Sequence, residues 1–425
     1  MYRVESLIAV GGFGGNWYID RQAVRAGAVQ DGLTFRGETV TPGFKSIVQP
    51  AAAICVQLIL DDGSVAYGDC VGVAYSGQMT RDALLYPSDQ IPIIEKYITP
   101  KVVGRELSAF RPLAEEIEGL VLDGKKLHAN VRYGVSQALL DAVAKAKRVT
   151  MAEVIAQEYG TTLAHKPIPL NVQVGTEWYD PGTLAFVKRP IDKVILRRAE
   201  NIHTGSIYTM DLFNKQLEYL AWVKERIQQI GDKDYHPTIH FDLYGHIGFA
   251  FNNDVPKMVS YFQKLEKTAK PYSLIIEDPV NMGDKARQIE VLAALRAGLK
   301  KAGVQIITMA DELCTRLEDH KAFAEAGAVD MQKIKAPDLG SITNAIEGLL
   351  YLKTKGVEPY LGGSMTETDR AAQVRVHIGL ATQPNQMLAS PGSGIDEAYC
   401  ITMNEMLRTL ALIGKGRNPG PAAAL

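Results

Sequence analysis

The second half of the chain sets down an acidic residue at the end of each of three short apolar runs: TIHFDLYG carries Asp242, SLIIEDPV carries Glu277 and IITMADEL carries Asp311. The spacings are 35 and 34 residues, about one strand plus one helix, and a fourth run, DMQKIKAPD, ends in Lys335. In a (β/α)8 barrel, successive parallel strands are neighbours whose C-terminal ends open on one common point, so the three carboxylates would converge there. Oxygen ligands on rigid strand ends suit a hard divalent cation such as Mg2+, which keeps positions open for water or a substrate carboxylate. A cation that takes up the negative charge of an enolate, beside an amine that accepts a proton, is an arrangement for abstracting a proton alpha to a carboxylate. One acid just past a strand is commonly only a helix N-cap. Three in succession, followed by a lysine, call for more than capping.

The barrel reading extends to the rest of this half. Strand candidates follow in series as PLNVQVG, KVILRR, TIHFDL, YSLIIE, QIITMA, DMQKIK, PYLGG and QMLAS. Amphipathic segments such as LFNKQLEYLAWVKERIQQI, KARQIEVLAALRAGLKKAG and ITNAIEGLLYLKTKG lie between most of them. The expected fold class is α/β, a (β/α)8 TIM-type barrel over residues 166–400. Residues 1–165 mix strand-like runs with helical stretches near 107–121 and 128–158 and read as a separate α+β domain, with a hairpin turn at Asp61 to Ser64. The prolines of HKPIPL, Pro167 and Pro169, mark the junction. A final helix and small-residue tail, 401–425, is expected to pack back on the first domain.

A chain of 425 residues exceeds what one core usually organises. Its net charge of -2 offers no field to recruit nucleic acid or an anionic membrane surface, which leaves small-molecule chemistry. Cys55, Cys70, Cys314 and Cys400 are scattered, with neither a zinc spacing nor a disulfide framework, and fit reduced thiols in a cytoplasm. No leader pattern opens the sequence and no run reaches the length of a membrane span.

Smaller motifs carry weaker signals. GGFGGNW lacks the last glycine of a dinucleotide loop, since Trp17 stands there, and reads better as a flexible loop closing over a pocket. Gly362 and Gly363, at the end of the seventh strand, could offer backbone N–H groups to a carboxylate. Gln173 would point into the barrel mouth. His240 and His246 flank Asp242 without a ligand spacing and read as packing or hydrogen-bonding residues. Lys333 and Lys335 alternate with Ile334, so both would face the interior, and two cations so close are expected to depress each other's pKa.

On its strings DGLTFRGETVTPGF, LHANVRYGVSQALLDAVAKAKRVTMAEVI, HFDLYGHIG, IIEDP, ADELC, IKAPDLGS, YLGGSMTETDRAAQ and ASPGSGIDE, the chain resembles the methylaspartate ammonia-lyase family of the enolase superfamily over essentially its whole length. The resemblance implies that the first domain caps the barrel, that Asp242, Glu277 and Asp311 bind Mg2+, and that Lys335 is the catalytic base. It also implies reversible loss of ammonia from L-threo-3-methylaspartate, an amino dicarboxylate, to give mesaconate in a homodimer, with K+ as an activator. Gln173, Lys333, Ser364, Met365 and Leu388 are the substrate contacts it suggests.

Departures fall in the substrate shell. The family's second acid/base, a histidine in a proline-histidine pair on the second strand, is replaced within LRRAEN, where Arg198 is the best match and His203 lies five residues on. The family glutamine two residues before the base is Lys333, the threonine-cysteine pair is Ser364-Met365, and a capping glutamine is Ala74. These changes leave open a second reading, a superfamily lyase or dehydratase for a different amino dicarboxylate or an acid-sugar-like anion. A binding protein that has lost its chemistry conflicts with the retained carboxylates and Lys335.

Overall fold

Alternating apolar residues in the first part of the chain fold into a three-stranded antiparallel sheet, ordered β1 (Val4–Ile19), β2 (Val48–Leu60), β3 (Val65–Val71). The computed structural model describes residues 2–174, 185–207, 210–389 and 394–414. The β2–β3 turn falls where expected: Asp62 accepts hydrogen bonds from the backbone and hydroxyl of Ser64, closing the turn locally.

The GGFGG run is not a loop. It lies inside β1, where Gly15 N donates to Thr366 O at 3.1 Å, and a Cβ on Gly14 would stand 2.7 Å from that same oxygen. The glycines therefore serve a close approach of β1 to the segment after the seventh barrel strand, rather than a lid.

The helices of this part include α1 (Phe110–Glu118), α2 (Ala129–Lys147) and α3 (Met151–Tyr159). Helix α2 is buried from Ala129 to Ala144, because β3 covers one side while α1 and α3 cover others. A capping box starts α3: Thr150 accepts from Glu153 N, and the Glu153 carboxylate accepts from Thr150 N.

The barrel closes from eight parallel strands in sequence order: β4 (Leu170–Gln173), β5 (Asn201–Ser206), β6 (Thr238–Asp242), β7 (Leu274–Glu277), β8 (Ile307–Ala310), β9 (Met331–Lys335), β10 (Glu358–Gly362) and β11 (Gln386–Leu388). Closure pairs β11 with β4 and leaves no open edge. Seven of the eight expected runs are strands, and the second is the exception. KVILRR is the end of helix α4 (Ala185–Leu196) and the residues after it, and the strand is NIHTGS instead. Ile191, Val194 and Ile195 are buried at 3 and 4 spacing, a helical period, and that periodicity outweighs the β-branched composition of the run. The true strand is short and polar, so it carried no apolar run to read.

Outer helices include α5 (Gln216–Ile230), α6 (Val255–Ala269), α7 (Lys285–Lys301), α8 (Leu317–Glu325), α9 (Ile342–Thr354) and α10 (Asp369–Thr382). The last helix, α11 (Ile395–Gly414), packs mainly on α10, α4 and β4, that is, on the barrel, where the sequence reading had it folding back on the first part. Among the described residues no helix is long and apolar enough to cross a membrane.

Candidate active site

Asp242 and Glu277 are the last residues of β6 and β7 and face each other in register; Asp311 follows β8 by one residue. All three are buried, at 2%, 0% and 1% exposure, as strand ends capped by the N-terminal elements must be. Burial, with the charge of Glu277 next, lifts the Asp242 pKa well above the carboxylate range, while Lys333 opposes it. Asp278, in the left-handed region at φ 44°, turns back to accept from the backbone N–H groups of Asp311 (3.1 Å) and Glu312 (2.9 Å), which fixes the loop carrying the third acid.

Both lysines of β9 reach the acids, as the alternation implies. Lys333 Nζ lies 3.0 Å from Glu277 Oε1 and 3.1 Å from Asp311 Oδ2. Lys335 Nζ lies 3.0 Å from Asp311 Oδ2 and 3.2 Å from Glu312 Oε1. Ile334 between them is buried in the core. The expected mutual depression of their pKa values does not hold. Burial acts downward on both, but Asp311 acts upward on each, joined by Glu277 for Lys333 and by Glu312 for Lys335, and the net shift of both is upward. The expectation weighed the neighbouring ammonium and left out the carboxylates.

The chemistry of the donor set fits a hard divalent ion. Six carboxylates, Asp242, Glu277, Asp278, Asp311, Glu312 and Asp338, interact with four cations, Arg21, Arg81, Lys333 and Lys335. Asp311 Oδ1 is buried without a hydrogen bond among the described residues. The one group of three ligand atoms lying within 4.8 Å of one another among the described residues is His203, His240 and Glu277, without Asp242 or Asp311. Its imidazoles are stacked, 4.4 Å apart and 18° from parallel, so their in-plane lone pairs run side by side and do not meet at one ion. His240, which the sequence suggests is a packing or hydrogen-bonding residue, has Asn171 Nδ2 2.8 Å from its Nδ1, and its Nε2 stands 2.8 Å from Glu277 Oε2, off hydrogen-bond angle.

The substrate-shell residues separate into two groups. Gln173, His203, Lys333, Ser364, Met365 and Leu388 line one cavity together with Asp242, Asp311 and Lys335. His203 sits on β5 opposite Gln173, is 2% exposed, and among the described residues neither ring nitrogen has a hydrogen-bond partner. Burial first, then His240 and Lys333, hold its pKa well below the usual histidine value. The Ser364 hydroxyl is engaged elsewhere, donating to Gly72 O at 2.7 Å. Arg198 is not in the cavity. It precedes β5, at the opposite end of the barrel, where its guanidinium pairs with Asp232 and Asp234 on the surface. Lys193 and Arg197 pair with Asp396 of α11.

Several groups at the mouth carried no sequence signal. Arg81, from the N-terminal part, donates to Glu312 (3.0 Å) and Asp338 (2.9 Å). Tyr75 and Tyr244 meet edge to face at 6.4 Å, and the Arg21 guanidinium lies 3.6 and 4.1 Å from their ring centroids. These contacts join residues far apart in the chain, which no local pattern encodes.

Comparison with known proteins gives one consistent answer. The family model for the methylaspartate ammonia-lyase N-terminus matches residues 2–160, and that for its C-terminus matches residues 162–415. Methylaspartate ammonia-lyase 1 of Carboxydothermus hydrogenoformans is 43% identical, over 98% of each chain. The Mg complex of beta-methylaspartase from Clostridium tetanomorphum superposes with a TM-score of 0.91 at 41% identity, covering 98% of this chain and 100% of that one. The Citrobacter amalonaticus methylaspartate ammonia lyase containing (2S,3S)-3-methylaspartic acid gives 0.92 at 38%, over 97% and 100%.

Proposed function

The chain belongs to the methylaspartate ammonia-lyase family, and from that premise we propose that it eliminates ammonia from L-threo-3-methylaspartate to give mesaconate. The observation that carries this reading is the placement of Asp242, Glu277 and Asp311 at the ends of three successive barrel strands, with Lys333 Nζ bridging Glu277 and Asp311 and Lys335 Nζ on Asp311. Asp242, Glu277 and Asp311 would hold the Mg2+ ion, which, when bound, supplies positive charge against the substrate carboxylate as the neighbouring C–H bond breaks.

The chain's own residues supply the rest. Lys335 takes the proton from C3 in its free-amine form, which its burial favours and Asp311 and Glu312 oppose; the electron pair left behind becomes the new C=C bond, and the C–N pair departs with the amine as ammonia. Glu312 holds Lys335 Nζ at 3.2 Å, which restricts its direction of approach. His203, neutral, lining the cavity and with no hydrogen bond to either ring nitrogen among the described residues, is suited to a second acid/base role on the other side of the substrate. Gln173 supplies a neutral hydrogen-bonding partner, Met365 and Leu388 apolar walls, and Lys333 a charge for the second carboxylate. Arg198 has no part in this scheme, since it stands at the far end of the barrel.

The domain boundary is set near residue 165, supported by the break between the two family models and by the prolines of the junction. A homodimer in the cytoplasm completes the reading. It is supported by the four free cysteines and by exposed Ile8, Val10 and Phe13 on the edge strand β1, which a second copy would cover. The test is a UV assay for the unsaturated dicarboxylate, paired with ammonia measurement, on 3-methylaspartate with Mg2+ and K+ present. Equal molar release of both supports the proposal; no ammonia from 3-methylaspartate, with turnover of another acid anion, overturns it.

A further inference from the structure

We infer that the Lys333 ammonium and the divalent cation compete for Glu277 and Asp311, so that the ion enters as Lys333 withdraws into the substrate chamber, coupling ion uptake to the binding of an anionic substrate. This rests on the reading that Asp242, Glu277 and Asp311 hold the ion.

Lys333 Nζ bridges Glu277 Oε1 and Asp311 Oδ2 at 3.0 and 3.1 Å. A Mg2+ ion bonds carboxylate oxygens at about 2.1 Å, so an ammonium on the same two oxygens stands close enough for the two cations to repel and compete. Each acid keeps one oxygen without a hydrogen bond among the described residues, Glu277 Oε2, which stands 2.8 Å from His240 Nε2, and Asp311 Oδ1, while the other oxygen of each is on Lys333. Releasing Lys333 frees Glu277 Oε1 and leaves Asp311 Oδ2 on Lys335 alone, at 3.0 Å.

The position is built into the backbone. The Lys333 stem crosses Gly362 on the neighbouring strand, where a Cβ would stand 2.6 Å from Lys333 Cγ, and its Nζ lies 5.7 Å from the Tyr360 ring centroid. A side chain other than glycine at 362 would displace the stem. The four-carbon arm can leave the acids along the cavity it already lines with Gln173, His203 and Met365. There the ammonium meets a substrate carboxylate. A dicarboxylate then favours the ion-bound state, and by thermodynamic reciprocity the ion favours the dicarboxylate. The family glutamine at this position carries no charge and would impose no such coupling.

Calorimetric titration of Mg2+ into the full chain, with and without mesaconate, tests this on wild type, Lys333→Gln and Lys333→Met. Without mesaconate, both variants should bind Mg2+ about tenfold or more tighter than wild type; mesaconate should tighten wild type by about tenfold and the variants by less than about threefold. Wild type and both variants binding Mg2+ within about threefold of one another, with and without mesaconate, would overturn the inference and leave the metal reading standing. Mg2+ binding to none of the three proteins would overturn the metal reading and the inference with it. Thermal melting checks that each variant is folded.

Discussion

Arg81 reaches from the N-terminal elements to Glu312 at 3.0 Å, across 231 residues of sequence. It also binds Asp338 at 2.9 Å, and Glu312 in turn holds Lys335 Nζ at 3.2 Å. The proposed base is thus steadied by a residue from the other part of the chain. Burial acts to lower the Arg81 pKa, but Asp338 and Glu312 overcome it and the guanidinium stays charged.

Replacing Arg81 with alanine leaves Glu312 and Asp338 buried beside an uncompensated gap, a loss of about 3–5 kcal/mol by the usual cost of breaking a buried ion pair. Urea unfolding measures it. In steady-state kinetics kcat should fall more than KM rises, because Lys335 loses a fixed partner while the substrate contacts stay, and Arg81→Lys should recover part of kcat. A stability change below about 1 kcal/mol with unchanged kcat would show that the contact matters to neither.

Arg198→Ala should leave kcat and KM for 3-methylaspartate unchanged, because its guanidinium pairs with Asp232 and Asp234 outside the cavity. A large loss of kcat would restore the role the sequence suggested for it and refute the placement of the second strand.

His203→Ala should lower kcat by about 100-fold or more if the imidazole moves a proton, with Mg2+ affinity within about twofold of wild type. Unchanged turnover would reduce His203 to a wall of the cavity.

Acid should weaken the attachment of α11. Burial tends to raise the Glu405 pKa, but hydrogen bonds from His377 and Arg408 bring it down to about 2, below its ordinary value of 4.5. A depressed carboxylate stabilises the fold above its unfolded pKa, and that contribution disappears as pH falls from 4.5 toward 2. Allowing for partial exposure, it amounts to about 1 kcal/mol. Melting temperatures measured from pH 6 downward should fall less steeply for Glu405→Gln than for wild type, with the variant less stable at neutral pH.

The parts legible in sequence were those whose signal is local. Asp242, Glu277 and Lys335 each close a strand and Asp311 follows one directly, so the period of one strand and one helix announced them. The second strand was misplaced because Ile191, Val194 and Ile195 form a buried helical face just ahead of it, whereas NIHTGS has little apolar content. That error drew Arg198 into the site and left His203 as the weaker choice. Arg81, Tyr75 and Arg21 were invisible for a different reason: their partners Glu312 and Tyr244 are met only across the fold. The glycines of β1 were misread as a lid because their purpose, contact with Thr366, is likewise non-local.

Lys335 is proposed to remove the C3 proton. Incubating 3-methylaspartate in D2O with Mg2+ and following C3 by proton NMR tests it directly. Wild type should exchange the C3 hydrogen, and Lys335→Ala should lose exchange by about 1,000-fold while still binding Mg2+. Exchange at the wild-type rate in that variant would contradict the account.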